Sequence, residues 1–312
     1  VETARVLLDR AESRLAAAGV ASPRVDAELL LAHVTGRPRA MLRSAGDLPA
    51  DQMERFAGLI DRRARREPLQ HLTGTAPFRY LELEVGPGVF VPRPETELLV
   101  DPVLAHVAAA RTAAPARGPL IVDLCTGSGA LALALATEVP GSSVYAVELD
   151  PDTVRWARSN LDRCAAAVAD VDSSVSLLTS DARTVAEPDG PLFEFVGLVD
   201  VVVSNPPYIP DEAIPRDPEV RDHDPALALF GGPDGLDVIR RLVVQAARLL
   251  RPGGLVVVEH ADVQGDDAGA SGVPGVLRAS PHWTDVADHR DLSGLPRFTT
   301  ATRRRDRGVV IR

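Results

Sequence analysis

The residues Asn205-Pro206-Pro207-Tyr208 form the chemically most informative cluster in the chain. Two prolines fix φ and remove two backbone N–H donors, so nearby carbonyls are left free to accept. Asn205 offers an amide oxygen as a further acceptor, and Tyr208 offers a flat face. Two acceptors beside an aromatic plane suit a planar NH2 group. An exposed Pro-Pro turn is the plain alternative. The tetrapeptide directly follows the apolar run Val199-Asp200-Val201-Val202-Val203, and that position favours a binding turn.

Three further groups could hold a ligand. In Asp123-Leu124-Cys125-Thr126-Gly127-Ser128-Gly129, Gly127 and Gly129 allow a backbone to approach a ligand closely and to reach positive φ. The window departs from G-x-G-x-x-G, because Cys125 opens it and Ala132 closes it, and an ordinary strand–helix turn would look similar. Glu148 lies 19 residues after Gly129 and ends Val144-Tyr145-Ala146-Val147. A carboxylate there can accept both hydroxyls of a ribose, as in NAD or S-adenosylmethionine, or can help Pro151-Asp152 start a helix. Asp181 ends Ser176-Leu177-Leu178-Thr179-Ser180, where a carboxylate can accept from an adenine amino group or simply belong to a loop.

These residues need elements to position them. From residue 120 the pattern alternates: strands at 120–124, 144–148, 175–178, 199–203 and 255–258, helices at 130–138, 153–164 and 238–250. Alternation of this kind predicts a parallel sheet covered on both faces, with binding chemistry at the carboxyl ends of its strands. Residues 2–66 read instead as helices. Gly19 and Gly36 are stop signals, and Ser22-Pro23 is a start signal. The cluster Arg62, Arg63, Arg65 and Arg66 reads as cations complementing a helix end and facing water, or as a docking face. Leu81, Leu83 and Val85 alternate with Glu82 and Glu84. Gly86-Pro87-Gly88 then turns the chain into Val89-Phe90-Val91, which predicts a β-hairpin. A helix is expected over 95–111 and a loop over 112–119. The Gly/Asp/Ala/Ser-rich stretch 261–280 reads as a mobile loop, and Trp283–Ala287 with Phe298–Ala301 as strands closing the sheet.

The chain of 312 residues is long enough for two domains and a large core. Hydrophobic residues make up 45% and charged residues 25%, which excludes a disordered chain, a collagen or a coiled coil. No apolar run approaches the ~20 residues of a membrane span. The first 20 residues carry Glu2, Asp9 and Glu12 without an apolar h-region, which argues against a secretory signal. Two cysteines cannot form a disulfide framework, so a reducing compartment is expected. Net charge is −10, and all 34 cations are arginine. Residues 1–80 hold 13 Arg against 10 acids; residues 81–312 hold 21 against 34. The acidic larger part argues against non-specific duplex binding, which depends on neutralising phosphates.

An N-P-P-Y turn after the fourth strand, with a Gly-rich loop after the first and an acid after the second, resembles the signature of S-adenosylmethionine-dependent amino-methyltransferases. The blocks Glu67-Pro68-Leu69-Gln70-His71-Leu72-Thr73-Gly74 and Phe90-Val91-Pro92-Arg93-Pro94-Glu95-Thr96-Glu97 look like those of bacterial release factor glutamine methyltransferases. So do Ser22–Glu28 and Gly253–His260. The resemblance covers about residues 3–307. It implies an α/β, Rossmann-like class I methyltransferase sheet with helices on both faces over 94–312. A small all-α domain over 1–74, joined through a β-hairpin over 75–93, would dock the substrate.

The resemblance also implies roles. S-adenosylmethionine would be held by Cys125, Thr126, Gly127, Ser128, Gly129, Glu148, Asp181 and Asn205. A glutamine of peptide chain release factors, that of their Gly-Gly-Gln motif, would be held by Asn205, Pro206, Pro207 and Tyr208. Asn205, Pro206 and Tyr208 would be catalytic, with no metal. A cytoplasmic location is implied, with no nucleic-acid or membrane partner. The chain departs from the family at Cys125, where glycine is usual, at Ala182, where an aromatic is frequent, and over 261–280. DNA amino-methyltransferases share the N-P-P-Y turn but need a target-recognition region and a base-flipping pocket. A non-catalytic adaptor would have no need of Asn205 and Tyr208. His260, after the fifth strand, reads as a structural histidine or a proton relay.

Overall fold

The computed structural model describes residues 3–44, 47–113 and 118–305, which fall into two compact units. The first comprises Val1–Thr75, Val85–Pro87 and Pro215–Asp224; the second comprises Ala76–Glu84, Gly88–Ile214 and Pro225–Arg312. The units therefore divide the chain differently from the expected spans. Most of the hairpin belongs to the larger unit, and a later segment, 215–224, belongs to the helical one.

In the helical unit, helices Ala4–Ala17, Pro23–Thr35, Ala50–Ala64 and Leu69–Thr73 follow the start and stop signals in the sequence. Gly19 and Gly36 take positive φ at the first two helix ends. Ser22 occupies the N-cap position, but its side chain makes no capping bond, so Pro23 marks that helix start. Leu8, Leu15, Leu30, Leu31, Phe56 and Ile60 meet in one core, each large aliphatic side chain contributing roughly 1.5–3 kcal/mol of burial.

Half of the arginine cluster faces water as expected, Arg62 and Arg65 being exposed, and the other half turns inward. Arg63 is buried and donates to Asp26 at 2.8 Å and to Glu219 at 2.7 Å. Arg66 grips both oxygens of Glu219 at 2.8 and 2.7 Å, and Arg62 pairs with Glu67. Burial alone would push Glu219 up, but Arg66 and Arg63 hold its carboxyl down at about 2. These pairs tie segment 215–224 to the helices, which explains why it belongs to this unit.

In the larger unit, β1 (Thr75–Phe78) and β2 (Leu81–Glu84) form the hairpin, closed by Arg79 at φ 53°. The expected pairing of 81–85 with 89–91 does not form. At Glu84 the backbone N–H donates to Asn160 Oδ1 and the carbonyl accepts from Asn160 Nδ2, so a side-chain amide occupies the edge a strand would need. Val89 and Val91 are buried without strand pairing.

The main sheet contains β3 (Leu120–Leu124), β4 (Ser143–Glu148), β5 (Ser174–Thr179), β6 (Val199–Ser204), β7 (Leu250–Glu259), β8 (Trp283–Arg290) and β9 (Pro296–Arg303). Its order is β5-β4-β3-β6-β7-β9-β8. Strands β3 to β7 run parallel, while β9 is antiparallel to both neighbours. Alternate residues of each strand enter opposite cores. Ile121, Val201, Val203 and Val257 join Val103 and Leu131 on one face. Val122, Val202, Val256 and Val258 join Ile239, Leu242 and Leu277 on the other. Helices thus cover both faces, as the continuous apolar strands require.

Between Pro94 and Ala113 the expected single helix is a 3-10 turn, Pro94–Leu99, followed by the helix Val100–Ala113. Residues 114–117 of the expected loop lie outside the described residues. The expected mobile loop at 261–280 is instead two 3-10 turns and the helix Val273–Ala279. Val273 and Leu277 are fully buried there, so a few apolar positions among small residues are enough to anchor the segment.

Candidate active site

The sheet reverses its winding between β3 and β6, the place where open α/β sheets bind ligands. Register brings the candidate residues together there. Val147, Leu124, Ser204 and Val258 align across β4, β3, β6 and β7. The next residue of each strand or turn is then Glu148, Cys125, Asn205 and Glu259. Ser204 Oγ donates to the Leu124 carbonyl at 2.5 Å and ties β6 to β3 at this edge.

The loop after β3 turns through three positive φ values: 62° at Cys125, 58° at Gly127 and 85° at Gly129. Cys125 therefore takes the left-handed conformation that glycine adopts most readily, at a steric cost of about 1–2 kcal/mol. Burial pushes its thiol well above the ordinary range, so it stays protonated. Glu148 organises the loop from β4. Its Oε2 accepts from Gly127 N–H at 3.0 Å, and Oε1 accepts from Leu149 and Asp150 N–H at 2.9 and 3.1 Å. Three of its roughly four acceptor positions are filled, leaving capacity on Oε2. Burial, partly offset by these donors, raises its pKa.

Asp123, the first residue of the Gly-rich window, lies fully buried beneath the loop. Its Oδ2 accepts from Thr126 Oγ1 at 2.5 Å and from Ala132 N–H at 3.1 Å, while Oδ1 has no partner among the described residues. Burial pushes its carboxyl up to about 7 against those two donors. Asp181 follows β5 but is gripped by Arg183, which donates at 2.7–3.0 Å and holds its pKa down. Ala182 is buried in the core beside Val185.

Asn205 is half-buried at the end of β6, and its Nδ2 donates to Thr96 Oγ1 at 3.2 Å. Among the described residues no donor reaches Asn205 Oδ1 or the Pro206 carbonyl. Tyr208 OH donates to Glu259 Oε1 at 3.4 Å, and the Tyr208 carbonyl accepts from Gln264 Nε2 at 3.0 Å. Behind the turn, Ile209 N–H donates to the Leu229 carbonyl and Gly231 N–H to the Ile209 carbonyl. The segment 229–235 thus clasps the turn from outside. Thr96, Glu259, Gln264 and Gly235 escape a reading of the sequence because nothing local shows what they touch; the run Glu259-His260 at a strand's carboxyl end is the one usable signal. His260 is fully buried, with Nδ1 donating to the Ala261 carbonyl and Nε2 accepting from Thr299 Oγ1, both at 2.9 Å. The Asp288 carboxylate also lies 3.3 Å from Nε2, so both nitrogens are engaged within the fold.

The site therefore presents two free acceptors beside a tyrosine, next to a Gly-rich loop gripped by a carboxylate. Residues 6–74 match a family profile described as the PrmC N-terminal domain, and residues 104–217 one described as the methyltransferase small domain. Over 293 residues the chain is 53% identical to the release factor glutamine methyltransferase of Streptomyces coelicolor, spanning 94% of this chain and 95% of that one. It is 50% identical over 299 residues to the protein of the same name from Mycolicibacterium smegmatis, spanning 96% and 97%. Among the described residues, no helix is long and apolar enough to cross a membrane.

Proposed function

We propose that this chain, which belongs to the release factor glutamine methyltransferase family, transfers a methyl group from S-adenosylmethionine to the side-chain nitrogen of a glutamine in a peptide chain release factor. The observation that carries the reading is the pair of unclaimed acceptors, Asn205 Oδ1 and the Pro206 carbonyl, at the carboxyl edge of β6.

The residues fit the cofactor. Glu148 retains acceptor capacity for a ribose hydroxyl, and Asp181 lies at the next strand end for the adenine. Buried Asp123 Oδ1, unpartnered among the described residues, lies under the loop that would receive the cationic end. Cys125, kept as a thiol, offers no competing nucleophile. When bound, S-adenosylmethionine supplies an electrophilic methyl group whose leaving partner is a neutral thioether.

The chain's task is to prepare a poor nucleophile. A carboxamide nitrogen is planar, with its lone pair delocalised into the carbonyl. Asn205 Oδ1 and the Pro206 carbonyl take its two hydrogens, which aims the lone pair and favours pyramidal character as the new bond forms. Tyr208 fixes the plane, and the two prolines keep the turn rigid, so most of the rate comes from alignment. The nitrogen becomes strongly acidic once methylated, so its proton leaves without a dedicated base. The helical unit docks the release factor, through a surface other than Arg62, Arg63 and Arg66, which are engaged internally. The protein works in the cytoplasm, alongside its substrate.

Asn205→Ala tests the reading. Turnover falls by roughly 10²–10³, the range for losing one preorganised hydrogen-bonding group, while the fold and cofactor affinity persist. Wild-type turnover would reduce Asn205 to a turn residue.

A further inference from the structure

The amide clamp of Asn205 and Pro206 continues into Tyr208, whose carbonyl is held by a side chain from elsewhere in the chain. Gln264, 5% exposed, ends the 3-10 turn Asp262–Gln264 that follows β7. Its Nε2 donates to the Tyr208 carbonyl at 3.0 Å and to the Asp234 carbonyl at 3.4 Å. Its Oε1 accepts from Ala261 N–H at 3.0 Å. A carboxamide can flip, and the two orientations have nearly the same shape. Here the partners decide. Two backbone carbonyls can only accept and a backbone N–H can only donate, so the NH2 faces Tyr208 and Asp234.

The base of this side chain is itself fixed. Gln264 N–H donates to the Ala261 carbonyl at 2.9 Å, so main chain and side chain both fold back on Ala261. The same carbonyl accepts from His260 Nδ1, and His260 Nε2 meets Thr299 of β9. The buried histidine thus seats Ala261, and through it Gln264, on the sheet.

At the far end Gly235 leaves room for the amide, since a Cβ there would stand 2.8 Å from Gln264 Nε2. One NH2 group therefore joins the clamp turn, 56 residues away, to the segment that clasps it, 30 residues away. Ile209 N–H and its carbonyl are taken by Leu229 and Gly231. Every backbone polar group from the Tyr208 carbonyl to the Ile209 carbonyl is then tied down, immediately beyond the acceptors left for the substrate.

Building on the clamp reading above, we propose that Gln264 is a positioning residue whose NH2 locks Tyr208 and the segment 229–235 into one rigid frame, and that full turnover requires a hydrogen-bond donor at this position. Both polar ends of Gln264 are engaged inside the protein, so it acts through Tyr208 and not on the substrate. Loss of the donor loosens the turn, and alignment is the source of most of the rate.

The experiment uses purified, unmethylated release factor as substrate. It measures kcat, KM and calorimetric cofactor affinity from pH 5.5 to 9 for the wild type, Gln264→Met, Gln264→Glu and Asn205→Ala. Gln264→Met keeps the length of the side chain and removes the donor. Its kcat is expected to fall by roughly 10- to 100-fold, with cofactor affinity unchanged within about twofold. Gln264→Glu keeps the shape. Its carboxyl can donate to one of the two carbonyls when protonated and to neither when ionised. Burial beside two carbonyl oxygens raises that carboxyl above its ordinary value of about 4.3. The kcat of Gln264→Glu, divided by that of the wild type at the same pH, is therefore expected to be highest at pH 5.5 and to fall as pH rises. A merely structural glutamine would change the folded fraction and leave this ratio level at about one. Wild-type kcat in folded Gln264→Met overturns the proposal. So does a Gln264→Glu ratio that stays near one up to pH 9 or rises with pH. The Gln264→Glu profile remains decisive even if Gln264→Met folds poorly. Wild-type turnover in Asn205→Ala marks instead a failure of the clamp reading itself.

Discussion

A Cβ on Gly235 would stand 2.2 Å from the Tyr208 carbonyl oxygen, closer than any real contact. Gly235 also has φ of 76°, so both its backbone conformation and its surroundings require glycine. The turn that carries the amide clamp is thus braced from behind by a loop 27 residues further along the chain. Gly231 stands in the same relation to Pro207, with a Cβ placed 2.5 Å from its carbonyl oxygen.

This bracing predicts that Gly235→Ala impairs catalysis without touching a substrate-facing atom. Displacing Tyr208 misaligns the clamp, and a displacement of about 1 Å costs on the order of 10²-fold. Turnover should fall by that order while calorimetric cofactor affinity stays within a few fold, because Gly127 and Glu148 are held by hydrogen bonds of their own and not by the braced turn. Wild-type kcat in a folded Gly235→Ala protein would show that the brace is dispensable.

Stability should depend on Asp123. Its carboxyl is raised from an ordinary 3.8 to about 7 by burial, so the native state binds its proton more tightly than the unfolded chain does. Stability therefore falls as pH rises through the window from about 4 to 7, and stays low above it. Asp123→Asn copies the uncharged form and still accepts from Thr126 and Ala132. Without cofactor, urea unfolding should show the variant more stable than wild type by a few kcal/mol at pH 8, the gain shrinking toward pH 4. A gain that is absent at pH 8, or constant with pH, contradicts a buried ionisable Asp123.

Cofactor affinity should rest on Glu148. Glu148→Ala removes a ribose acceptor and releases Gly127 N–H from its partner, so affinity for S-adenosylmethionine should weaken by about 1.5–3 kcal/mol, the value of a charge-assisted bond. Calorimetry finding unchanged affinity would remove Glu148 from the site, and preferential binding of NAD would overturn the cofactor assignment.

The parallel sheet is legible in the sequence because five apolar runs alternate with helical patterns, and local periodicity is what burial on two faces imposes. Asn205-Pro206-Pro207-Tyr208 and Gly127–Gly129 are legible because proline and glycine restrict the backbone wherever they occur. Structure and expectation part where a distant residue decides the outcome. Val89–Val91 has strand composition, but Asn160, 76 residues beyond Glu84, takes the hairpin edge. Arg63 and Arg66 look solvated until Glu219, 153 residues beyond Arg66, arrives between them. Thr96 and Glu259 fall inside the blocks Phe90–Glu97 and Gly253–His260, but nothing local shows what they touch, since their partners Asn205 and Tyr208 lie 109 and 51 residues away respectively. The stretch 261–280 reads as a loop from its small residues, although Val273 and Leu277 are enough to fix a helix.

The central claim, methyl transfer to a glutamine amide held by Asn205 and Pro206, is tested most directly by locating the methyl group. A purified, unmethylated release factor is incubated with the full chain and isotopically labelled S-adenosylmethionine, digested, and sequenced by tandem mass spectrometry. The account predicts one labelled methyl on the side-chain nitrogen of a single glutamine with wild-type protein, and almost none with Asn205→Asp. That variant keeps an acceptor oxygen but adds a negative charge that stabilises the cationic cofactor more than the transition state. No label on the release factor, label on a carboxylate or lysine, or equal labelling by Asn205→Asp would contradict it.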